Sequence, residues 1–208
     1  MQSLRNLSEG MLAFFEAKDR AREETLRLSR EIVRDCSVAT RYVHKRDFDE
    51  AKRLLNRSQS LLKTIRDILK EHQDVRYAGF LDNAEQEFAE AKFVYHLISG
   101  DGIPTHNEID VDMINYLSGL GDATGELRRH ILNIIRSGKP EEGEYFLEVM
   151  EEIYYMLMLF DYPEAITRGL RRKSDLARSM LEKTRGDLTN AIAMAKLTES
   201  IRLSKRPP

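Results

Sequence analysis

Cysteine and tryptophan are nearly missing from this chain: one Cys, Cys36, and no Trp in 208 residues. A single thiol excludes a disulfide framework and a cysteine-based zinc site. Proline and glycine are scarce as well, at 5 and 11, and neither occurs in the 68 residues from Met11 to Ala78. So long a stretch without turn residues predicts long helices. Charge of one sign is also lacking. The 33 Lys and Arg nearly balance the 35 Asp and Glu, for a net charge of −2. That excludes a globally basic nucleic-acid binder, so any such role must come from a local patch. The longest apolar run, Ile153 to Phe160, is too short to span a bilayer. Arg5, Glu9 and Glu16 interrupt any signal-like apolar run at the start. A cytoplasmic protein with no membrane partner is expected.

What is present is 41% hydrophobic and 33% charged residues. This balance predicts an ordered chain with wide solvated faces, forming one domain over residues 1–208 with a large core. Arg22, Leu26, Ser29, Val33, Cys36, Thr40 and Val43 repeat at alternating steps of four and three, one face of a first helix. Asp47-Phe48-Asp49-Glu50 resembles a capping box opening a second helix that runs to about His72. Arg76 to Gly79 is a junction. A third helix carries Phe80, Leu81, Ala84, Phe88, Ala91, Tyr95 and Ile98 and stops at Ser99-Gly100. Residues 101–108, with Gly102 and Pro104, read as a loop. A fourth helix runs from about Ile109 to Arg136, ended by Gly138 and Pro140. A fifth, acidic one spans about Glu141 to Phe160 and is broken by Asp161-Tyr162-Pro163, after which a short helix follows. Ser174 is the expected cap of a last helix to about Leu203, before a basic tail. The class is therefore all-α, with six or seven helices. Leu176, Met180, Ala191, Met194 and Leu197 give the last helix an apolar face suited to self-association.

Two acidic groups stand out. On helix three, Glu87 lies on the line Ala84, Glu87, Ala91, Val94, Ile98, and Glu90 sits above Val94 and Leu97. Two carboxylates one turn apart thus border the apolar face. Glu85 and Glu16 fall outside these lines and are expected to be solvated. At about 4 Å and an effective dielectric of about 20, like charges repel by roughly 4 kcal/mol, which a raised pKa, basic neighbours or a cation must offset. A hard divalent ion suits oxygen ligands, and Mg²⁺ takes one or two carboxylates plus water and phosphate. On helix four, Ser118, Asp122, Glu126 and Arg129 share a polar line among Gly119, Gly121 and Gly125. Each interior glycine costs about 1 kcal/mol against alanine, so close approach of a helix or ligand is expected there. The glycines are not a dinucleotide loop, because no strand precedes them and the spacing is wrong. The five histidines have no metal-ligand spacing, and the Glu-x-x-His pairs of di-iron sites are absent. The residues alone leave two readings open: a metal site, or two partly exposed acidic faces paired with Arg128 and Arg129.

Three segments carry a family resemblance. Gln86-Glu87-Phe88-Ala89-Glu90-Ala91 looks like the QEYVEA stretch of translin-associated factor X in the translin family. Residues 116–129, from Tyr116 through Asp122 and Glu126 to Arg129, resemble its YLLGVADLTGELMR stretch. Leu26 to Glu31 resembles its LVKLSRD. The likeness runs in order from about residue 10 to about residue 200. It implies a seven-helix bundle assembling into a hollow shell, here a homo-oligomer of six to eight chains, that binds RNA or single-stranded DNA. Because the paired glutamates mark the nuclease branch, it also implies Mg²⁺-dependent cleavage of RNA, with Mn²⁺ a substitute. The implied ligands are Glu87, Glu90 and Asp122, with Glu126 as a nearby fourth acid. Phe88 departs from the family's tyrosine, and the loop from Ser99 to Glu108 is shorter than in eukaryotic members, which work in a mixed shell with translin.

Arg20, Arg27, Arg34 and Arg41 recur every seven residues on helix one, with Arg30 beside them and His44, Lys45 and Arg46 beyond. At 1.5 Å per residue this basic stripe is roughly 30 Å long. It reads either as a solvated face bridged to Glu23, Glu24 and Glu31 or, given the resemblance, as a phosphate-binding surface. Arg76 and His130 are weaker candidates. Tyr42 is the stripe's one aromatic, so recognition of the RNA backbone is expected over base stacking. Two alternatives to the ribonuclease remain: a nucleic-acid-binding shell without catalysis, and an all-helical nucleoside triphosphate pyrophosphatase. The latter also uses Glu-x-x-Glu on one helix, but its second motif is usually Glu-x-x-Asp, where this chain has Asp122-x-x-x-Glu126.

Overall fold

Long stretches without helix breakers do become long helices. The structure, a computed structural model, describes residues 2–204, with side chains from residue 8. The expected basic tail at Lys205 and Arg206 lies outside the described residues. These residues form nine α-helices and no strand. They are α1 (Gln2–His44), α2 (Phe48–Leu69), α3 (Gln73–Arg76), α4 (Asp82–Ser99), α5 (His106–Ile109), α6 (Met113–Arg136), α7 (Glu144–Met158), α8 (Glu164–Thr167) and α9 (Leu170–Ser204). A 3₁₀ turn, Pro140–Gly143, precedes α7. Among the described residues, no helix is long and apolar enough to cross a membrane.

The chain clusters into two compact units that divide between Tyr116 and Leu117, within the first turn of α6. In the first, α1, α2 and α4 pack together around Ile32, Leu55, Leu62, Ile65, Phe88 and Phe93, all fully buried. Asp47 caps α2 by accepting from the Glu50 amide at 3.4 Å, as the capping pattern requires. The buried line on α1 runs through Ala21, Thr25, Leu28, Ile32, Cys36, Ala39 and Val43. It keeps the four-and-three spacing but is rotated from the expected face, and Arg22, Leu26 and Val33 lie at its margin. Residues 101–108, expected to be a loop, contain the start of α5. A capping box closes it: the Glu108 amide donates to Thr105 Oγ1 at 3.3 Å, and the Thr105 amide to Glu108 Oε2 at 2.7 Å.

In the second unit, α7 and α9 pack on each other around Met150, Ile153, Leu157, Leu181 and Leu188. Ser174 does not cap the last helix. That helix begins at Leu170, and Ser174 is buried inside it with no hydrogen-bond partner for Oγ among the described residues. Gly169, at φ +93°, sets the start of α9 with a left-handed turn that glycine adopts without strain.

Candidate metal and nucleic-acid site

α4 presents its glutamates in two environments. Ala84, Ala91 and Val94 are buried, and Glu87 and Glu90 are half-buried beside them, at the border of the apolar face as their spacing predicts. Their charges are felt at the buried Cys36 thiol of α1. That thiol is pushed up to about 12, first by burial and further by Glu87, Asp35 and Glu90, while Ser58 opposes the shift with a 3.7 Å hydrogen bond.

Glu85 overturns its expected solvation. It is 2% exposed and joins four elements. Arg66 Nη2 of α2 donates to Oε1 at 2.7 Å. The Asp112 amide, at 3.0 Å, and Asn115 Nδ2, at 2.9 Å, donate to Oε2. Arg66 also holds the side chain and carbonyl of Asp110, the left-handed C-cap of α5. A buried carboxylate is tolerable here because three donors surround it, one of them the oppositely charged Arg66. Its partners lie 19 to 30 residues away, so helical periodicity on α4 gave no sign of them. Glu16, by contrast, is exposed as expected.

On α6, Asp122 and Glu126 are half-buried, Ser118 is buried and Arg129 is exposed. Glu126 pairs with Arg129 at 3.5 Å. Arg128 turns instead to α9, donating to Thr184 Oγ1 at 3.1 Å and pairing with Asp187 at 2.8 Å. Asp122 is met by a cation that the spacing did not disclose: Lys173 Nζ of α9 lies 2.6 and 2.7 Å from its two carboxylate oxygens. Gly121 explains the approach, since a Cβ there would stand 2.9 Å from the Lys173 Cβ. Gly125 has no atom within 4 Å of such a position, so close helix packing accounts for Gly121 and not for Gly125. His130 is buried with its ring 4.6 Å from that of Phe146, a packing role. Within either unit, no three described His, Cys, Asp or Glu side chains form by themselves a group that could hold a metal ion. The structure thus presents an oxygen-rich pair on α4 and, separately, the α6 acids.

The arginines of α1 divide into two kinds. Arg27 is clasped by Glu24 at 2.7 Å and Glu31 at 2.6 Å, and the Glu24 carboxyl is held below its usual range, chiefly by that hydrogen bond. Arg20, Arg30, Arg34 and Arg41 are exposed, with no ion pair among the described residues. A cleft of about 280 Å³ opens where Val38, Arg41, Tyr42 and Lys45 meet. Arg57 of α2, missed in the sequence, bridges Glu31 and Asp35 at 2.9 and 3.0 Å. Arg76 is half-buried at the end of α3.

Comparison with known proteins places the fold. An uncharacterised protein of Methanocaldococcus jannaschii is 38% identical over 194 residues, covering 92% of this chain and 86% of its own. AfC3PO, solved in complex with duplex RNA, is 31% identical with a TM-score of 0.82, covering 91% of this chain and 97% of its own. Apo-NeC3PO, 24% identical over 92% of this chain and 98% of its own, shares the fold at a TM-score of 0.74. Residues 22–185 match the translin family pattern across both units, and the chain belongs to the translin family.

Proposed function

We propose that this chain binds RNA and cleaves it as a Mg²⁺-dependent endoribonuclease. One observation carries the reading: Glu87 and Glu90 stand one turn apart on α4, half-buried at the border of its apolar face. Two carboxylates one turn apart repel each other, a divalent cation shared between them would offset that repulsion, and a pair of carboxylates is a common Mg²⁺ complement. Glu87 and Glu90 would hold the ion, with Asp122 as third ligand and Glu126 nearby on the strength of the family resemblance. A bound ion would supply Lewis acidity and a water of lowered pKa. The chain's own residues do the rest. Arg30, Arg34 and Arg41 bind backbone phosphates, and Arg27 or Arg30 steadies the negative charge that develops on the phosphoryl oxygens. The AfC3PO complex with duplex RNA supports RNA as the ligand.

The test is purified protein with labelled RNA, with and without Mg²⁺, beside the Glu87→Gln variant. The expected outcome is metal-dependent cleavage in the wild type, and loss of cleavage with binding retained in the variant. Normal cleavage by Glu87→Gln would overturn the site. A second reading, binding without catalysis, is favoured by the ammonium that already neutralises Asp122. It takes over if neither Mg²⁺ nor Mn²⁺ elicits cleavage while binding persists. Hydrolysis of nucleotides in place of RNA would revive the pyrophosphatase.

A further inference from the structure

The Lys173 ammonium lies on Asp122 as a small cation would, within 2.7 Å of both carboxylate oxygens. The contact is built into the fold. Gly121 leaves the space through which α9 delivers the lysine, and any side chain there would meet the Lys173 Cβ at 2.9 Å. The glycine costs α6 about 1 kcal/mol against alanine, which a fortuitous surface pair would not demand. Neither partner is sealed: the side chains of Lys173 and Asp122 are 26% and 20% exposed. The pair is therefore able to open without stranding a charge in the core.

We propose that Lys173 is an internal counter-cation that competes with divalent ions for Asp122. Ion binding at this carboxylate then requires the lysine to let go. The inference rests on the metal-dependent reading of Asp122 and adds its regulation. A monovalent ion offers Asp122 no more charge than the ammonium it must displace, whereas a divalent ion offers twice as much. Lys173 thus selects for divalent ions and sets the concentration at which the site fills.

The experiment measures Mn²⁺ binding to the full chain by the loss of the free-ion paramagnetic resonance signal, with no RNA present. Lys173→Met should bind Mn²⁺ more tightly than wild type by up to roughly fivefold, the scale of one part-exposed ion pair. Lys173→Arg should retain the competition and stay near wild type. Without metal, Lys173→Met should melt lower, and Mn²⁺ should raise its Tm more than that of the wild type. Where the methionine variant does not fold, Lys173→Gln repeats the test. Equal or weaker Mn²⁺ binding on loss of the lysine overturns the proposal. If Mn²⁺ binding is abolished by Glu87→Gln yet indifferent to Lys173→Met, the metal site stands and the competition falls. If no variant binds Mn²⁺, both fall.

Discussion

Glu85 is buried inside the first unit with a donor on each carboxylate oxygen, one of them the Arg66 guanidinium. Removing one partner of such a pair leaves the other buried and uncompensated. Glu85→Ala is expected to lower unfolding stability by roughly 3–5 kcal/mol in urea titrations, whereas Glu16→Ala, exposed on α1, should leave it unchanged. Equal midpoints for the two variants would remove the network from any account of stability. Cys36 supports a pH prediction. Its folded pKa, about 12, lies above the ordinary 9.0, so burial disfavours the thiolate. The stability tied to the neutral thiol is complete below pH 9 and is lost as pH climbs toward 12. Between about pH 8 and about pH 10.5 the wild type should lose roughly 1–2 kcal/mol relative to Cys36→Ala. Parallel pH profiles for the two proteins would show that the thiol does not couple to folding.

At the scale of elements, α1 bears most of the proposed nucleic-acid surface and α4 the proposed chemistry. Along α1, Arg27 already spends its donors on Glu24 and Glu31, so RNA must compete with carboxylates there. Arg34 and Arg41 offer exposed guanidinium groups. Reversing both to Glu should weaken RNA binding and flatten the dependence of log affinity on log salt by roughly 0.7–0.9 per lost phosphate contact. Filter binding at several salt concentrations measures this, and an unchanged slope would return the stripe to a solvated face. α4 separates its acids by angle alone: Glu87 and Glu90 border one face while Glu85, pointing elsewhere, is locked to α2 and the start of α6.

For the whole molecule, the described surface is rich in exposed apolar groups at both ends of the chain. Met11, Leu12, Phe14 and Phe15 of α1 and Met194, Leu197, Ile201 and Leu203 of α9 are all about half exposed or more. Apolar clusters of this kind mark association surfaces, and the family resemblance implies a shell of six to eight chains. Light scattering at micromolar concentration should give a mass several times 24.1 kDa, and Met194→Glu with Leu197→Glu should reduce it. A monomer in the wild type would refute the assembly.

By itself, the sequence determined what local rules govern. The 68 residues without Gly or Pro became helix nearly throughout, and the four-and-three spacing placed Glu87 and Glu90 at the border of the core. The short motifs identified the family. The tertiary structure alone decided which charges meet. Lys173 reaches Asp122 across 51 residues, and Arg66 and Asn115 reach Glu85 across 19 and 30. Side-chain periodicity records which face of a helix is apolar, but an ion pair between helices depends on their packing, and no spacing within one helix encodes that.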